Sequence, residues 1–298
     1  MEGNLKANNT GSDKVFTIIN YTFATLFFLA VLYPLINVVS SSFSSPEALI
    51  SGKVWLFPVG FSLEGYKAVL AYKNVWLGYG NSLFYTVFGT LLNVAVTVIA
   101  AYPLSRKDFR GRNIIMFVFT FTMLFSGGMI PSYLLVKSLG LMNSRLALII
   151  PGAMSVYNVI VVRTFFTTNI SDELLESAKL DGCSDFRFLA SIVLPLSGAV
   201  IAVITLWYSV GHWNGFFDAL LYLTDKNKYP LQIFLREILL LNTVDELSAN
   251  LVEESKRIYM SELLKYALII VATLPLLIMY PVVQKYFVKG VMVGSIKG

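Results

Sequence analysis

The chain is short of almost everything that enzymes use. Of its 298 residues, one is a cysteine and one a histidine. A single thiol, Cys183, excludes any disulfide within the chain. With His212 as the sole imidazole, no His/Cys cluster is present to hold a metal, and a membrane-embedded hydrolase has little to work with. Charge is scarce as well: 14% of residues are Asp, Glu, Lys or Arg, against 56% hydrophobic, and mean hydropathy is +0.69. Soluble domains carry about 25% charged residues. The net charge of +5 is spread over connecting segments, without the concentrated basic face that nucleic acid requires. A phosphate-binding Gly-x4-Gly-Lys-Ser/Thr loop is missing too, so the sequence carries no ATPase motif and reads as a non-enzyme.

What the chain has is long apolar runs. About 20 apolar residues cross a bilayer, and six stretches qualify: 15–39, 81–104, 113–136, 146–166, 192–210 and 263–287. The first fourteen residues are polar, and the run after Lys14 is longer than a signal-peptide core, which reads against a cleavable leader. Arg106, Lys107, Arg110 and Arg112 crowd the connection between the second and third runs, whereas the short third–fourth connection carries Lys137 and Arg145. Positive charge in short loops stays cytoplasmic. That rule puts both termini, the 106–112 loop and the loop after the fourth run inside, and segments 44–79 and 214–260 outside. Segment 44–79, with Trp55, Tyr66, Tyr72 and Trp76, suits an aromatic belt or a small folded cap. Within 214–260, residues 231–240 form an amphipathic pattern suited to an interfacial or re-entrant helix. No repeat or linker divides the chain, so 1–298 is expected to be one membrane domain. Its tails are expected at 1–14 and 289–298, with a polar loop at 171–190.

That polar loop is the most informative segment. Ser171 suits an N-cap, with Asp172 and Glu173 in the first helical turn, where the dipole favours acids. Leu174, Ala178 and Asp181 recur at helical spacing. Gly182 supplies the left-handed stop. Asp185-Phe186-Arg187-Phe188-Leu189 restarts a short helix, and Pro195 opens the next span. Glu176, Ala178 and Gly182, followed by Ile192, Leu194 and Pro195, resemble the EAA signature of bacterial ABC-importer permeases, with small Ser177 in place of the middle alanine. The resemblance runs on through Trp213-Asn214, through Leu220-Leu221, and through the tail from Gln284 to Gly290, Gly294 and Gly298. These are similar to carbohydrate-importer permeases related to the second maltose permease. Phe125 to Pro131 and Val156-Tyr157-Asn158 are similar to the subgroup handling oligosaccharides from complex polysaccharides.

The resemblance implies an all-α membrane protein of six transmembrane helices, the type I importer-permease fold, with a cytoplasmic coupling helix between spans four and five. It implies a bacterial inner-membrane location. It also implies two permease subunits, different from one another in most relatives, and two ATPase subunits holding ATP and Mg. An extracytoplasmic binding protein and a sugar substrate complete the expected partners. Glu176, Ser177, Ala178, Asp181, Gly182, Ile192, Leu194 and Pro195 would form the ATPase-docking segment. No cofactor, metal or nucleic acid is expected on this chain. The alternatives are an ABC permease for another solute and an ion-coupled secondary transporter. The second would want an acid or base at mid-span, and the predicted spans carry none.

Overall fold

In a computed structural model, residues 11–240, 259, 261–262, 264–281 and 284 are described; every regular element among them is a helix. The expected C-terminal tail at 289–298 lies outside the described residues. The chain divides into two compact units, 1–71 with 238–271, and 72–237 with 272–298.

The first unit begins with α1, Gly11–Ser42, whose apolar stretch is unburied within the chain. A helix exposed on every side keeps such a sequence only where the surroundings are lipid or another apolar helix. At its end the serine run does structural work. Asn37 Nδ2 donates to the carbonyls of Val54 and Trp55, and Ser40 Oγ to that of Leu56. Val59 N donates in turn to Ser44 Oγ at 3.1 Å. These bonds fold segment 51–62 back onto the helix end, around the short helices α2 (Pro46–Ile50) and α3 (Glu64–Ala71). Segment 44–71 is therefore a small folded cap. Trp55 and Phe57 nevertheless stay exposed, as a belt requires.

The second unit is organised on α4, Lys73–Ser105. At 33 residues it is about 50 Å long, well beyond the ~30 Å hydrocarbon core. One of its faces is polar and buried: Ser82, Thr86, Thr90, Asn93 and Thr97 recur at spacings of three and four. This face meets α11, Gly198–Asn214. Thr90 Oγ1 lies 3.2 Å from Ser209 Oγ, Thr97 Oγ1 2.7 Å from Tyr208 OH, and Asn93 Oδ1 2.6 Å from His212 Nε2. Lipid supplies no hydrophobic drive between helices, so small and hydrogen-bonding residues supply the contact.

The remaining runs are less regular than the sequence suggests. The third expected span is α5 (Arg112–Leu124) and α6 (Met129–Ser138), bent by 114° at a non-helical Phe125–Gly128 stretch, where Gly128 has φ +85°. The fourth opens as a 3₁₀ turn, Arg145–Leu148, and becomes the α-helix α7 only at Val156–Asn169. Irregular backbone at membrane depth needs protein partners. Asn93 Nδ2 donates to the Gly152 carbonyl, and Ser155 N donates to Tyr208 OH at 3.1 Å. The fifth expected span breaks by 84° at Ser197, so Ile192, Leu194 and Pro195 precede the spanning helix α11 rather than begin it. Pro195 cannot donate to the carbonyl four residues back, and a π-turn at Leu189–Val193 absorbs the mismatch. The sixth run is the helix Leu264–Pro281. The amphipathic stretch is α13, Leu231–Leu240. Its first turns are buried in protein instead of lying on an interface: Leu231 and Phe234 pack directly on Gly78 of α4.

Candidate functional site

The polar loop folds into the helix α8, Asp172–Leu180, capped as the sequence indicates. Ser171 Oγ accepts from Leu174 N at the start. At the end Cys183 N donates to the Ala178 carbonyl and Gly182 N to that of Lys179, a Schellman closure with Gly182 at φ +74°. Ser184 caps the next short helix, α9, Asp185–Phe188.

The helix has two unlike faces. Leu175, Ala178 and, from α9, Phe188 are buried in one cluster with Val98 and Leu104 of α4, Val162 of α7 and Val200 of α11. The buried row is thus Leu175/Ala178, whereas Leu174 and Asp181 of the anticipated row are exposed. Glu176, Ser177 and Gly182 are exposed as well. Leu180 is 89% exposed and Phe186 78%. Two apolar side chains are thus exposed beside the acids Glu176 and Asp181. Sequence reading passed over these side chains; the visible signal is an apolar residue on each side of the Gly182 stop. Of the remaining motif positions, Ile192 and Leu194 are half-buried against the cluster, and Pro195 is exposed.

The basic 106–112 loop lies against α8. Lys107 Nζ is 2.6 Å from Asp172 Oδ2, and Arg106 Nη2 is 3.5 Å from Oδ1. Lys179 Nζ reaches Asp108 at 3.2 Å and Asp185 at 4.0 Å. Arg106 is itself buried, with its guanidinium 5.9 Å from the Phe188 ring centre. Arg163 of α7 donates from Nε to the Leu104 carbonyl at the C-terminal end of α4. The loop and α8 therefore share one end of the bundle, as the distribution of charge requires. The hydrogen bond from Lys107, with the charges of Lys107 and Arg106, holds the Asp172 carboxyl below the usual carboxylate range. Lys179 does the same for Asp108. Neither the described acids nor His212 and Cys183 gather into a metal-binding group.

An all-helical bundle of lipid-suited helices, with a polar helix anchored by one face at its end, has the make-up of a multi-pass membrane subunit. Residues 93–293 match the family described as the binding-protein-dependent transport system inner membrane component. The chain belongs to that family: it is an ABC-importer permease subunit, a multi-pass protein of the inner membrane. It is 42% identical over 291 residues to the Bacillus subtilis polygalacturonan/rhamnogalacturonan transport system permease protein YtcP, covering 96% of this chain and 99% of that protein. It is 40% identical to protein LplC of the same organism, with 98% of each covered. The fold is shared, at a TM-score of 0.83 and 37% identity, with a chain of a bacterial ABC transporter involved in the import of the acidic polysaccharide alginate. That match covers 93% of this chain and 98% of the other.

Proposed function

We propose that this chain is one of two membrane subunits of an ATP-driven importer of oligosaccharides released from complex, partly acidic polysaccharides. The observation that carries the reading is its near-full-length likeness to a pectic-polymer permease and to a chain of an alginate importer. A second permease, different in sequence, completes the pathway, and an extracytoplasmic binding protein delivers the sugar. ATP and Mg are held by two copies of a partner ATPase. The exposed face of α8, with Glu176, Ser177, Asp181 and Gly182 flanked by Leu180 and Phe186, docks in a cleft of that ATPase on the cytoplasmic side. Ala178 holds the helix in the bundle core, and Ile192, Leu194 and Pro195 carry the connection to α11. Because α8 shares one packed cluster with α4, α7 and α11, a push on it moves those helices together.

The test is reconstitution of the four-subunit complex with its binding protein in liposomes. ATP-dependent uptake of neutral and uronate oligosaccharides is compared with that of amino acids, peptides and phosphate. Uptake confined to sugars is the expected result. Transport of an amino acid or phosphate with no sugar would remove the carbohydrate assignment and leave the importer intact.

A further inference from the structure

The second unit encloses a cavity of about 250 Å³ away from α8, lined in part by Asn93, Trp207, His212 and Asp218. This is smaller than the ~300–1,000 Å³ of drug-sized ligand pockets, so it suits one ring rather than a chain of them. We propose that it is a subsite for one neutral sugar ring of the oligosaccharide, stacked on Trp207 and held through its hydroxyls by Asp218 and His212. This rests on the sugar-importer reading above and adds where, and by which groups, the membrane path meets its substrate.

The chemistry of the lining selects the ligand. Trp207 is 41% exposed and is supported by Tyr157, with ring centres 5.7 Å apart. It offers an aromatic wall to the C–H face of a pyranose. Gly152, Gly211 and Gly215 also line the space, and a side-chain carbon added at Gly152 or Gly211 would meet nothing within 4 Å, so a ring can lie close to the backbone. The polar groups include two acceptors beside the Trp207 indole N–H donor. Asn93 spends its Nδ2 on the Gly152 carbonyl and turns Oδ1 to His212 Nε2, which therefore carries the proton. In the neutral ring this leaves His212 Nδ1 an acceptor. Asp218 accepts no hydrogen bond among the described residues, and burial raises its carboxyl pKa, with His212 pulling the other way. An indole N–H beside two acceptors calls for a ligand edge that both donates and accepts. Sugar hydroxyls supply it. A uronate carboxylate supplies only acceptors, and no Lys or Arg among the described residues lines the cavity to meet its charge. In a polymer fragment carrying both kinds of ring, the neutral one belongs here.

The test uses the purified complete complex without its binding protein, so that the membrane path alone is read. Methyl galactoside and methyl galacturonoside are titrated by saturation-transfer NMR, with oligosaccharide uptake measured in parallel. The galactoside is expected to bind at least about tenfold more tightly than the galacturonoside. Asp218→Asn, of the same shape, should bring the two within about twofold of each other. Trp207→Ala should abolish the galactoside signal and Trp207→Phe retain it, which separates stacking from misfolding. Equal or uronate-preferring binding to the native complex, or a signal that survives Trp207→Ala, overturns the subsite. If oligosaccharides are still taken up in that case, the importer reading stands; if no sugar is taken up either, both fall.

Discussion

At the residue scale the proposed docking segment turns on Gly182. Its backbone is left-handed, and an added side-chain carbon would meet nothing within 4 Å, so any penalty for replacing it comes from φ alone. That penalty is about 1–2 kcal/mol for an ordinary residue, larger for a β-branched one and small for asparagine. Gly182→Val is therefore expected to unwind the end of α8, reducing ATPase co-purification and uptake by about tenfold or more. Gly182→Asn should keep most of both, and both variants should insert normally. Equal ATPase recovery with Val and Asn would mean that the turn is not what the ATPase reads. Ser171 and Gly182 were legible in the sequence because caps are local: a hydroxyl before a helix, a glycine after it. Leu180 and Phe186 were not recognised as exposed, because exposure depends on where α4, α7 and α11 happen to leave off. Leu174, Ala178 and Asp181 recurred at helical spacing without showing that Leu175 and Ala178 would be the buried pair. Periodicity shows that a helix has faces, and only its neighbours decide which face is buried.

At the scale of elements, two contacts decide how the bundle behaves. The first ties α8 to the 106–112 loop. Asp172 is partly exposed, and such ion pairs contribute about 0–1 kcal/mol, so Asp172→Asn alone should lower thermal stability only slightly. Arg106 is buried, and its replacement by Ala also removes packing on Phe188. Arg106→Ala should cost several times more in detergent melting and lower the ratio of sugar moved to ATP hydrolysed. The pH dependence follows from the lowered Asp172 pKa. A carboxyl whose folded pKa is depressed stabilises the fold above its unfolded value of about 3.9, and that contribution is lost as pH falls through the folded value. Between pH 5 and 8 the contact is intact, so any change in melting temperature over that range that disappears in Asp172→Asn would contradict this assignment. The second contact is the polar seam of α4 and α11. A side-chain carbon at Gly89 would lie 2.4 Å from His212 Nε2. Gly89→Ala must displace that ring and, with it, its bond to Asn93. Combined with His212→Ala, the stability loss is expected to be smaller than the sum of the single losses, with a coupling of about 0.5–3 kcal/mol. Additive losses would show that the ring and the glycine do not compete for space. The spacing of Thr86, Thr90, Asn93 and Thr97 was present in the sequence as a polar row inside an apolar run, the one signal that could have marked this seam in advance. The bends at Phe125–Gly128 and Ser197 were less accessible. Hydropathy reports how apolar a stretch is and is blind to a change of axis within it.

At the scale of the whole molecule, hydropathy reached furthest, because the thickness of the bilayer core sets the length of an apolar run, while loop charge supplies an expectation of sidedness. Sidedness can be put to a direct test within the second unit. Asn81, near the start of α4, donates to the carbonyls of Asn227 and Tyr229, so Lys226 sits at that end of the helix. Arg110 follows the other end, past Ser105. The stretch of α4 from Asn81 to Ser105 separates the two positions by about 36 Å, more than a bilayer's hydrocarbon thickness of ~30 Å. Both positions are exposed. The cluster at Arg106, Lys107, Arg110 and Arg112 assigns the far end to the cytoplasm, and Lys226 then lies outside. With the native thiol removed as Cys183→Ser, a cysteine at Lys226 is expected to react with a membrane-impermeant maleimide in intact spheroplasts. A cysteine at Arg110 should react only after lysis. Sidedness would also constrain the proposed mechanism: α8 shares its end with Arg106, so a cytoplasmic ATPase would act at that end and the sugar would arrive at the other. Labelling of both cysteines from one side would break the spanning assignment of α4. The reverse pattern would keep that assignment but put α8 beyond the reach of any cytoplasmic ATPase.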